Sequence, residues 1–485
     1  MYDINGQLIA DAFEDSFLQI MGEGRAEEDA DKRYSSVLRT IRTVMEKGCV
    51  DPALVAAIGL DGQMAGIMGI DRQFNAVTPY DSWLDTRCEK YMQWLRAGGE
   101  DDFIRLTGCP VTYAHGPKVL WWKNEHPEVY AKIDKFIMMN TYIAGKMTGM
   151  SARDAYIDYT QLHFSGFADV CALKWIPEML SEYGLDIGKM PRIAEPWEVV
   201  GKLSADQAML CGLRKGIPVV AGCGDQPATA LGAGVFKCGD AFDVSGTASL
   251  FACCVDEYKP DVEHKTLIFS RAIMPGYWLP QAYVNGGGLS VRWFKELCEE
   301  NNPDIGYAEL ENEAANLPPG SGDLMFVPHF QGRVCPNDPY VRGSFAGLNW
   351  THKRGNLFRA VMESLGYEYS LYLKILRSLN SSFSIDKVIV TGGGAKSAIF
   401  NQIKADILGV PYHRPLRSDA PMLGCVLNAG YGVGIYPDLI ESAKKMVDFD
   451  TPVMPDEKSY GMYQKYTDIY PELLTAMGKI YQKLI

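Results

Sequence analysis

The sequence is short of positive charge. Its 485 residues include 47 Lys and Arg against 60 Asp and Glu, which gives a formal net charge of −13 at pH 7. Nucleic acids and anionic membranes bind concentrated basic surfaces, so this balance argues against both kinds of partner. Long hydrophobic runs are also missing: PALVAAIGL at 52–60 is far shorter than the roughly 20 apolar residues that a membrane-spanning helix needs. We therefore expect no nucleic-acid or membrane partner.

The cysteines follow no recognisable spacing. There are 12, and only Cys253 and Cys254 are close in sequence, so neither a metal site nor a disulfide framework is indicated. No signal peptide, short-period repeat or low-complexity segment is recognisable either, and these absences predict a cytoplasmic protein. Two nucleotide-binding motifs are missing as well: TGGGAKS at 391–397 does not fit the dinucleotide fingerprint, and GxxxxGK[ST] occurs nowhere.

What the chain does contain is an alternation of helix and strand patterns. Apolar residues at offsets of three and four predict a helix over 28–48, and the run at 54–60 predicts a buried strand after it. A strand pattern at 388–390 precedes a helix pattern that begins at Ala398, and the longest helix pattern begins near Asn356. Such alternation is typical of α/β layers, in which ligands bind at the strand ends.

The length indicates more than one hydrophobic core. No flexible linker marks a division, but the glycines at 222–234 could act as a hinge. We therefore predict two domains, residues 1–234 and residues 235–485.

Four apolar runs end in glycine-punctuated loops. They are GLDGQMAG at 59–66, VVAGCGDQPATALGAGV at 219–235, FDVSGTASL at 242–250 and VTGGGAKS at 390–397. Each alone is typical of ordinary turn geometry, because glycine supplies the positive φ that a tight bend needs. The SGTAS stretch could offer N–H groups and hydroxyls to a phosphate, or form a turn between two strands, and both interpretations stay open.

Asp225 follows the second of these runs and precedes a helix pattern with Pro227 in its first turn. One interpretation is a helix N-cap, which is worth about 1 kcal/mol. The other is a carboxylate directed into a cleft between domains, where it accepts a proton from an attacking hydroxyl. The SWLDTR stretch at 82–87 suits a polyol-binding loop and, equally well, a surface ion pair beside a buried Trp83.

In this order and spacing, these stretches resemble the FGGY family of carbohydrate kinases. The most specific agreement is GSFAGLNWTHKRGNLFRAVMES at 343–364, which fits the second signature of that family without exception. The resemblance covers residues 2 to about 434. It implies an α/β fold of two actin-like (ribonuclease H-like) domains that flank a cleft, the first binding sugar and the second binding nucleotide.

The resemblance also implies roles for particular residues. It makes Asp225 the catalytic base. The sugar-binding residues that it implies are Gln63, Met64, Ala65, Trp83, Asp225 and Gln226. The nucleotide-binding residues that it implies are Gly246, Thr247, Gly288, Arg292, Gly393, Gly394 and Ser397. It identifies no metal ligand.

The implied reaction is transfer of the γ-phosphoryl group of ATP, with Mg²⁺, to a hydroxyl of a small sugar such as a pentulose or a related ketose or polyol. Catalysis of this kind comes mostly from positioning and electrostatics. A catalytically silent, sugar-binding homologue with a regulatory or assembly role is the alternative. A chaperone-type ATPase shares the fold but lacks the 343–364 stretch. A homodimer is the default assembly.

Several positions depart from the family pattern. In the first signature, YAHGPKVLWWKNE at 113–125, His115 and Trp122 replace the usual small or Pro residue and the usual aliphatic residue. Xylulose kinases of the family usually have His where this chain has Ala65, and a small residue where it has Asp61. Losing an imidazole removes a hydrogen-bonding partner for a ketose, while the carboxylate adds an acceptor or a charge.

The start of the sequence is a further departure. The family opens with a strand, an Asp-x-Gly-Thr phosphate loop and a returning strand, all ahead of the segment that matches YDINGQLIA at 2–10. SGTAS already corresponds to the second phosphate motif, so it does not replace the first. Absence of a central strand is expected to weaken folding as well as catalysis. We hypothesise that Met1 is an internal methionine of a longer natural chain.

Overall fold

The computed structural model describes residues 1–300 and 302–484. The chain forms two compact units. Unit 1 consists of Met1–Gly234, Phe269–Trp278 and Asp419–Val447, and unit 2 consists of Val235–Ile268, Leu279–Ser418 and Asp448–Ile485. The division into domains of residues 1–234 and 235–485 stays a prediction. Among the described residues, no helix combines the length and the apolar character needed to cross a bilayer.

Helices supply most of the regular structure. They are α1 Ala30–Gly48, α2 Glu89–Ala97, α3 Glu100–Thr107, α4 His115–Glu125, α5 Pro127–Tyr130, α6 Met139–Thr148, α7 Pro177–Glu182, α8 Ala205–Cys211, α9 Asp225–Ala233, α10 Gly287–Glu299, α11 Tyr307–Ala315, α12 Arg354–Leu379, α13 Ala398–Leu408, α14 Ala420–Gly432, α15 Leu439–Lys444 and α16 Glu457–Tyr481.

The strands are short. They are β1 Gln19–Ile20, β2 Ala26–Glu28, β3 Asp61–Gly62, β4 Met68–Ile70, β5 Tyr80–Asp81, β6 Lys135–Ile137, β7 Tyr156–Asp158, β8 Ala168–Asp169, β9 Lys174–Trp175, β10 Arg192–Ala194, β11 Val199–Lys202, β12 Pro218–Val220, β13 Cys223–Gly224, β14 Asp240–Ser245, β15 Ser249–Cys253, β16 Ile268–Arg271, β17 Trp278–Val284, β18 Met325–Val327, β19 Ser344–Ala346, β20 Lys387–Thr391 and β21 Tyr412–His413.

Several predicted elements are confirmed. Helix α1 begins after Asp29, whose carboxylate caps it by accepting from the Lys32 amide. Strand β20 and helix α13 occupy the predicted strand and helix that flank TGGGAKS. The apolar stripe of α12 is buried as expected for a core helix; its members are Phe358, Val361, Met362, Leu365, Tyr369, Tyr372 and Leu376.

The buried strand predicted over 54–60 is wrong. Asp51 accepts from the Ala53 amide and starts a 3₁₀ turn over Pro52–Leu54, which leaves Leu54 76% exposed. After this turn only Ile58 forms a bridge, parallel to Val219, before β3 begins. Apolar composition alone does not distinguish a strand from an irregular segment beside one.

Unit 1 is built from short ladders around two hydrophobic clusters. Strand β13 pairs in parallel with β3, β7 pairs in parallel with β10, and β4 pairs antiparallel with β6. One cluster includes Met68, Tyr142 and Val219, and the other includes Phe103 and Phe136. Both ladder and cluster therefore place the ends of β3 and β13 against a packed interior.

Helices α9 and α14, both in unit 1, pack backbone to backbone. A Cβ on Gly232 would lie 1.9 Å from the Ala420 carbonyl oxygen, and a Cβ on Gly424 would lie 2.0 Å from the Ala228 carbonyl oxygen. Such distances are far inside van der Waals contact, so only glycine permits this approach. The pair fixes the helix that begins at Asp225.

Unit 2 is organised around a mixed sheet with β17, β15, β14, β20 and β21 in that order. The β14–β15 and β15–β17 pairs are antiparallel, whereas β14–β20 and β20–β21 are parallel. Val244 of β14 lies opposite Thr391 of β20, so both strands end at the same edge. The loops that follow them are brought together there.

Candidate active site

Asp225 lies where a strand ends and a helix begins. Strand β13 ends at Gly224, which is the N-cap of α9, and Asp225 is the first helical residue. The N-cap interpretation of Asp225 is therefore wrong, because the chain enters the helix one residue earlier. Gly222, at φ +83°, permits a close approach to Leu60, since a Cβ there would lie 2.2 Å from the Leu60 carbonyl oxygen. This turn delivers a partly exposed carboxyl group to the strand end.

Asp61 lies beside Asp225. Strands β3 and β13 pair with Asp61 opposite Cys223, two residues before Asp225. Loss of hydration on burial and, next, the negative charge of Asp61 raise the pKa of Asp225 to about 7. Burial also raises the pKa of Asp61, and the neighbouring Cys425 thiol offsets part of this rise. Neighbouring carboxyl groups do not both ionise readily, so the pair retains a proton near neutral pH.

A buried polar network holds the strand end. The Gly224 amide donates to Thr160 Oγ1 at 2.9 Å. Asp158, which is fully buried, accepts from the Thr160 amide at 3.1 Å, from Gln161 Nε2 at 2.7 Å and from Asn140 Nδ2 at 3.3 Å. Because these groups satisfy the buried carboxylate, the network is rigid and the backbone ahead of Asp225 is held in one position.

The predicted sugar-binding residue Gln63 is held at both ends of its amide. Gln63 Nε2 donates to Glu28 Oε1 at 3.1 Å, and Ser82 Oγ donates to Gln63 Oε1 at 3.2 Å. The Tyr80 hydroxyl donates to the Gln63 carbonyl oxygen at 3.2 Å. Glu28 is in turn paired with Arg33, whose Nε lies 3.0 Å from Glu28 Oε2. The orientation of Gln63 is therefore set before any ligand binds.

Lys118, from the first signature, anchors the residues that follow Gln63. It is 1% exposed, and its ammonium group donates to the carbonyl oxygens of Ala65 at 2.9 Å and Ser82 at 2.6 Å. Ala65 has a left-handed backbone, with φ +62°, which costs a non-glycine residue about 1 kcal/mol or more. Met64 is buried against Gly224, where a Cβ would lie 2.6 Å from its Sδ.

The SWLDTR loop separates an exposed aromatic residue from a buried ion network. Trp83 is 46% exposed, whereas Asp85 is 2% exposed. Arg87 pairs with Asp85 at 2.9 Å and with Asp81 at 2.8 Å, and its guanidinium group lies 4.4 Å from the centre of the Trp121 ring. The alternative interpretation, a surface ion pair beside a buried Trp83, is therefore wrong, because the ion pair is buried and Trp83 is exposed. Asp85 and Arg87 stabilise the loop, and Trp83 is free to contact a ligand.

One acidic cluster has the spacing of a metal site. Oxygens of Glu27, Asp81 and Asp85 lie within 4.8 Å of one another, and all three residues are buried. Arg87 already pairs with all three, at 2.8, 2.8 and 2.9 Å respectively. A second cation would be repelled by this guanidinium group, so the cluster does not fit Mg²⁺.

The predicted sugar-binding residues thus gather at one region of unit 1. Met64 touches Gly224, Gln63 is bonded to Ser82, and Trp83 is the next residue along. Gln226 follows Asp225 on α9, and its buried Oε1 has no hydrogen-bond partner among the described residues. These predicted residues therefore form a continuous neighbourhood.

In unit 2, SGTAS forms the turn between β14 and β15. The strand-turn interpretation is therefore right about its geometry, which does not exclude phosphate binding. The amides of Gly288 and Leu289, at the start of α10, donate to the carbonyl oxygens of Gly246 and Thr247, each at 3.0 Å. A Cβ on Gly288 would lie 2.1 Å from the Gly246 carbonyl oxygen. Glycine is needed there so that α10 can support the turn.

The TGGGAKS loop packs on the same turn. A Cβ on Gly392 would lie 2.8 Å from the Ser245 carbonyl oxygen, and one on Gly394 would lie 2.7 Å from Ser245 Cβ. A Cβ on Gly393 would meet nothing within 4 Å, so open space lies in front of it. Thr391 Oγ1 is buried at the strand end with no hydrogen-bond partner among the described residues. Open backbone and an unsatisfied hydroxyl are features that a phosphate or a nucleoside can fill.

A buried ion pair lies beneath this turn. Lys404 of α13 forms an ion pair with Asp243 of β14, and both side chains are fully buried. Its ammonium group also donates to Ser245 Oγ at 2.8 Å, and the Tyr369 hydroxyl donates to Asp243 Oδ1 at 2.9 Å. This network ties the helix after TGGGAKS to the strand before SGTAS, which fixes the spacing of the two loops.

The predicted nucleotide-binding residues Arg292 and Ser397 lie at the margins of this neighbourhood of unit 2. Arg292 is exposed on α10, one turn beyond Gly288, and its guanidinium group lies 3.4 Å from Glu296. Ser397 is the N-cap of α13, and its hydroxyl accepts from the Phe400 amide at 3.2 Å. Ser397 thus has a structural role that the sequence analysis did not anticipate.

Comparison with known protein families identifies the family of the chain. The N-terminal domain of the FGGY family of carbohydrate kinases matches residues 1–232, and the C-terminal domain of the same family matches residues 243–433. The chain belongs to the FGGY family of carbohydrate kinases. This FGGY kinase is accordingly a phosphotransferase that uses ATP to phosphorylate a sugar, and its two FGGY domains have the actin-like fold of sugar kinases.

The kinase is similar to several characterised relatives over nearly its whole length. A xylulose kinase of Staphylococcus epidermidis is 26% identical over 478 residues, which is 96% of this chain and 91% of the relative. An autoinducer-2 kinase of Enterobacter sp. is 26% identical, and the alignment covers 93% of this chain and 87% of the relative. A gluconokinase of Bacillus licheniformis is 25% identical, and the alignment covers 95% of this chain and 90% of the relative.

Solved structures show the same range of relatives. A ligand-bound xylulose kinase and a gluconate kinase, both from Lactobacillus acidophilus, each superpose with a TM-score of 0.91 at 25% identity, covering 100% of this chain and 96% of the other. Glycerol kinase of Plasmodium falciparum with ADP has a TM-score of 0.86 at 19% identity and shares the fold.

Several residues of the two neighbourhoods were not found from sequence. Lys118 belongs to a signature, but its two carbonyl partners are distant along the chain. Glu28 and Asp158 carry no local signal at all, since their importance comes from Gln63 and Thr160. Only the contacts of these residues in the folded chain show what they do.

Proposed function

We propose that this kinase phosphorylates a hydroxyl of a small sugar, a pentulose or a related ketose or polyol, with Asp225 as the general base. One observation carries the proposal: a partly exposed carboxyl group stands at a strand end with its pKa raised to about 7. A base is most effective when its pKa is near the working pH. The sugar is held by Gln63, Met64, Ala65, Trp83 and Gln226, within the proposed domain of residues 1–234.

The nucleotide contacts belong to the proposed domain of residues 235–485. ATP supplies the phosphoryl group when it is bound. The turn and loop described above fit it, and the residues that would hold it are Gly246, Thr247, Gly288, Arg292, Gly393, Gly394 and Ser397. Mg²⁺ is commonly held in kinases by one or two carboxylates together with the phosphates of the substrate.

The role of Asp225 follows from the loose character of phosphoryl transfer. Ionised Asp225 would accept a hydrogen bond from the acceptor hydroxyl, orient that oxygen and take its proton as the sugar oxygen bonds to the γ-phosphorus of ATP and ADP leaves. Gln63, prepositioned by Glu28 and Ser82, fixes a second part of the sugar. Correct placement of the two reactants supplies much of the rate, because it replaces a bimolecular encounter.

The test measures ADP release with D-xylulose, D-ribulose, glycerol and xylitol as acceptors, for wild type, Asp225→Asn and Asp206→Asn. Asp206 is an exposed carboxylate in the first turn of α8 and serves as the matched control. Removal of a general base is expected to lower kcat about 10²- to 10⁴-fold. Sugar binding, measured by calorimetry, should persist in Asp225→Asn.

Two results would contradict the proposal. Asp225→Asn that keeps kcat within tenfold of wild type would remove Asp225 from the chemistry. Sugar binding without ADP release by the wild-type chain would instead indicate a silent, sugar-binding homologue.

A further inference from the structure

Asp61 lies on the strand that pairs with the one leading to Asp225. Asp61 is opposite Cys223, and Gly62 is opposite Gly224, the residue immediately before Asp225. The ladder therefore brings Asp61 and Asp225 to the same end of the two strands. In agreement with this placement, the negative charge of Asp61 contributes, after burial, to the raised pKa of Asp225. Both residues are partly exposed.

The position of Asp61 is fixed from below. Its carboxyl group lies beside the Cys425 thiol of α14, which lies beside the Cys223 thiol in turn. Gly59 lets α14 approach, because a Cβ there would lie 2.8 Å from the Cys425 carbonyl oxygen. Asp61 is therefore a held group at the strand end and not a mobile surface acid.

No cation compensates this pair. Among the described residues, neither Asp61 nor Asp225 has an ion-pair partner. The cations that lie near Gln63 are committed elsewhere: Arg33 pairs with Glu28, and Lys118 donates to two backbone carbonyls. An acceptor that carried its own carboxylate would bring a further negative charge to two uncompensated carboxyl groups, which costs binding energy in a partly dry site.

We propose that Asp61 is a specificity-determining residue that selects uncharged ketoses and polyols over sugar acids. Asp61 accepts a hydrogen bond from a sugar hydroxyl and rejects an aldonate by charge. The inference rests on the proposed function, since it assigns the acceptor to the neighbourhood of Asp225. Overall similarity does not decide the matter, because the xylulose kinase and the gluconokinase relatives are 26% and 25% identical.

The experiment compares D-xylulose and xylitol with D-gluconate, in both ADP release and direct binding by calorimetry without ATP. Wild type is expected to favour the neutral acceptors by at least about 100-fold in kcat/KM. Asp61→Asn keeps the shape and removes the charge, and it should lower this preference about 10-fold or more. Asp61→Ser is the second variant, and Asp206→Asn controls for net charge with an expected preference equal to wild type.

The outcomes separate this inference from the proposed function. If wild type binds neutral sugars preferentially and Asp61→Asn loses that preference, the role of Asp61 is supported, whether or not ADP is released. If no ADP is released in that case, only the proposed phosphoryl transfer is overturned. Turnover with a preference that is unchanged in both folded Asp61 variants would overturn the role of Asp61 alone. Wild type that binds gluconate as tightly as xylulose, or that binds neither, would also overturn it.

Discussion

Replacement of Asp225 by Asn should stabilise the protein at the same time as it removes activity. Burial, and next the charge of Asp61, raise the pKa of Asp225 from 3.8 to about 7. Between these two values the folded chain holds a proton that the unfolded chain has released. Stability from this group is therefore fully present below pH ~3.8 and is lost as the pH rises towards about 7. Asn mimics the protonated carboxyl group, so the Asp225→Asn chain does not lose this stability as the pH rises.

The magnitude follows from the two pKa values. The difference between 3.8 and about 7 corresponds to a ceiling of about 4 kcal/mol in the free energy of unfolding at pH 8. Solvent reaches part of Asp225, so we expect about 2 kcal/mol. An ionised residue in the first turn of a helix gains only about 0.3–1 kcal/mol from the helix dipole, which is too little to reverse the sign.

The assay is urea denaturation of wild type, Asp225→Asn and the Asp206→Asn control at pH 8 and pH 5. Asp225→Asn should be the more stable chain at pH 8, and the advantage should shrink at pH 5. Asp206→Asn should change stability by less than about 0.5 kcal/mol at both pH values. An Asp225→Asn chain that is less stable than wild type by equal amounts at both pH values would refute the reasoning, because it would show that the ionised carboxylate stabilises the fold.

Two further changes test the packing that positions the neighbourhoods. Gly232→Ala places a Cβ 1.9 Å from a carbonyl oxygen of α14 and should destabilise the protein by about 1–3 kcal/mol. Gly461→Ala, at an exposed position of α16 where the Cβ meets nothing within 4 Å, should stabilise it by about 0.5–1 kcal/mol. Urea midpoints measure both changes, and equal effects would contradict the close approach of α9 and α14. Lys404→Met leaves Asp243 buried without its partner and should lower the free energy of unfolding, measured by urea denaturation, by about 3–5 kcal/mol. Adding Asp243→Asn should restore much of that free energy. A double variant no more stable than Lys404→Met would count against the ion pair.

Local pattern was enough for two of the strand ends at the candidate site, but not for the run at 54–60 that leads to Gln63. The β-branched run before Gly222 and the glycines after Val390 mark strand ends, and those ends lie where the pattern predicts. Pro227 correctly indicates a first helical turn. The helix begins one residue earlier than expected because Gly224 adopts the N-cap conformation, and backbone dihedral angles are not encoded by residue type alone.

Long-range partners explain what local pattern missed. Trp83 is exposed because Arg87 draws the rest of its loop inward, towards Asp81 and Glu27. Asp81 and Glu27 lie outside the 82–87 stretch, so the stretch itself gives no sign of the whole network. The resemblance to a family supplied positions for the sugar and nucleotide residues, but the supporting side chains become visible only through their contacts.

The packing of α9 on α14 has a consequence for how the molecule is made. Residues 225–233 are translated nearly two hundred residues before residues 420–432, and the glycine contacts between the two helices need both. During synthesis the helix that begins at Asp225 therefore lacks its contacts with α14 until residues 420–432 have left the ribosome. Packing around the helix that begins at Asp225 is thus completed long after that helix has been translated.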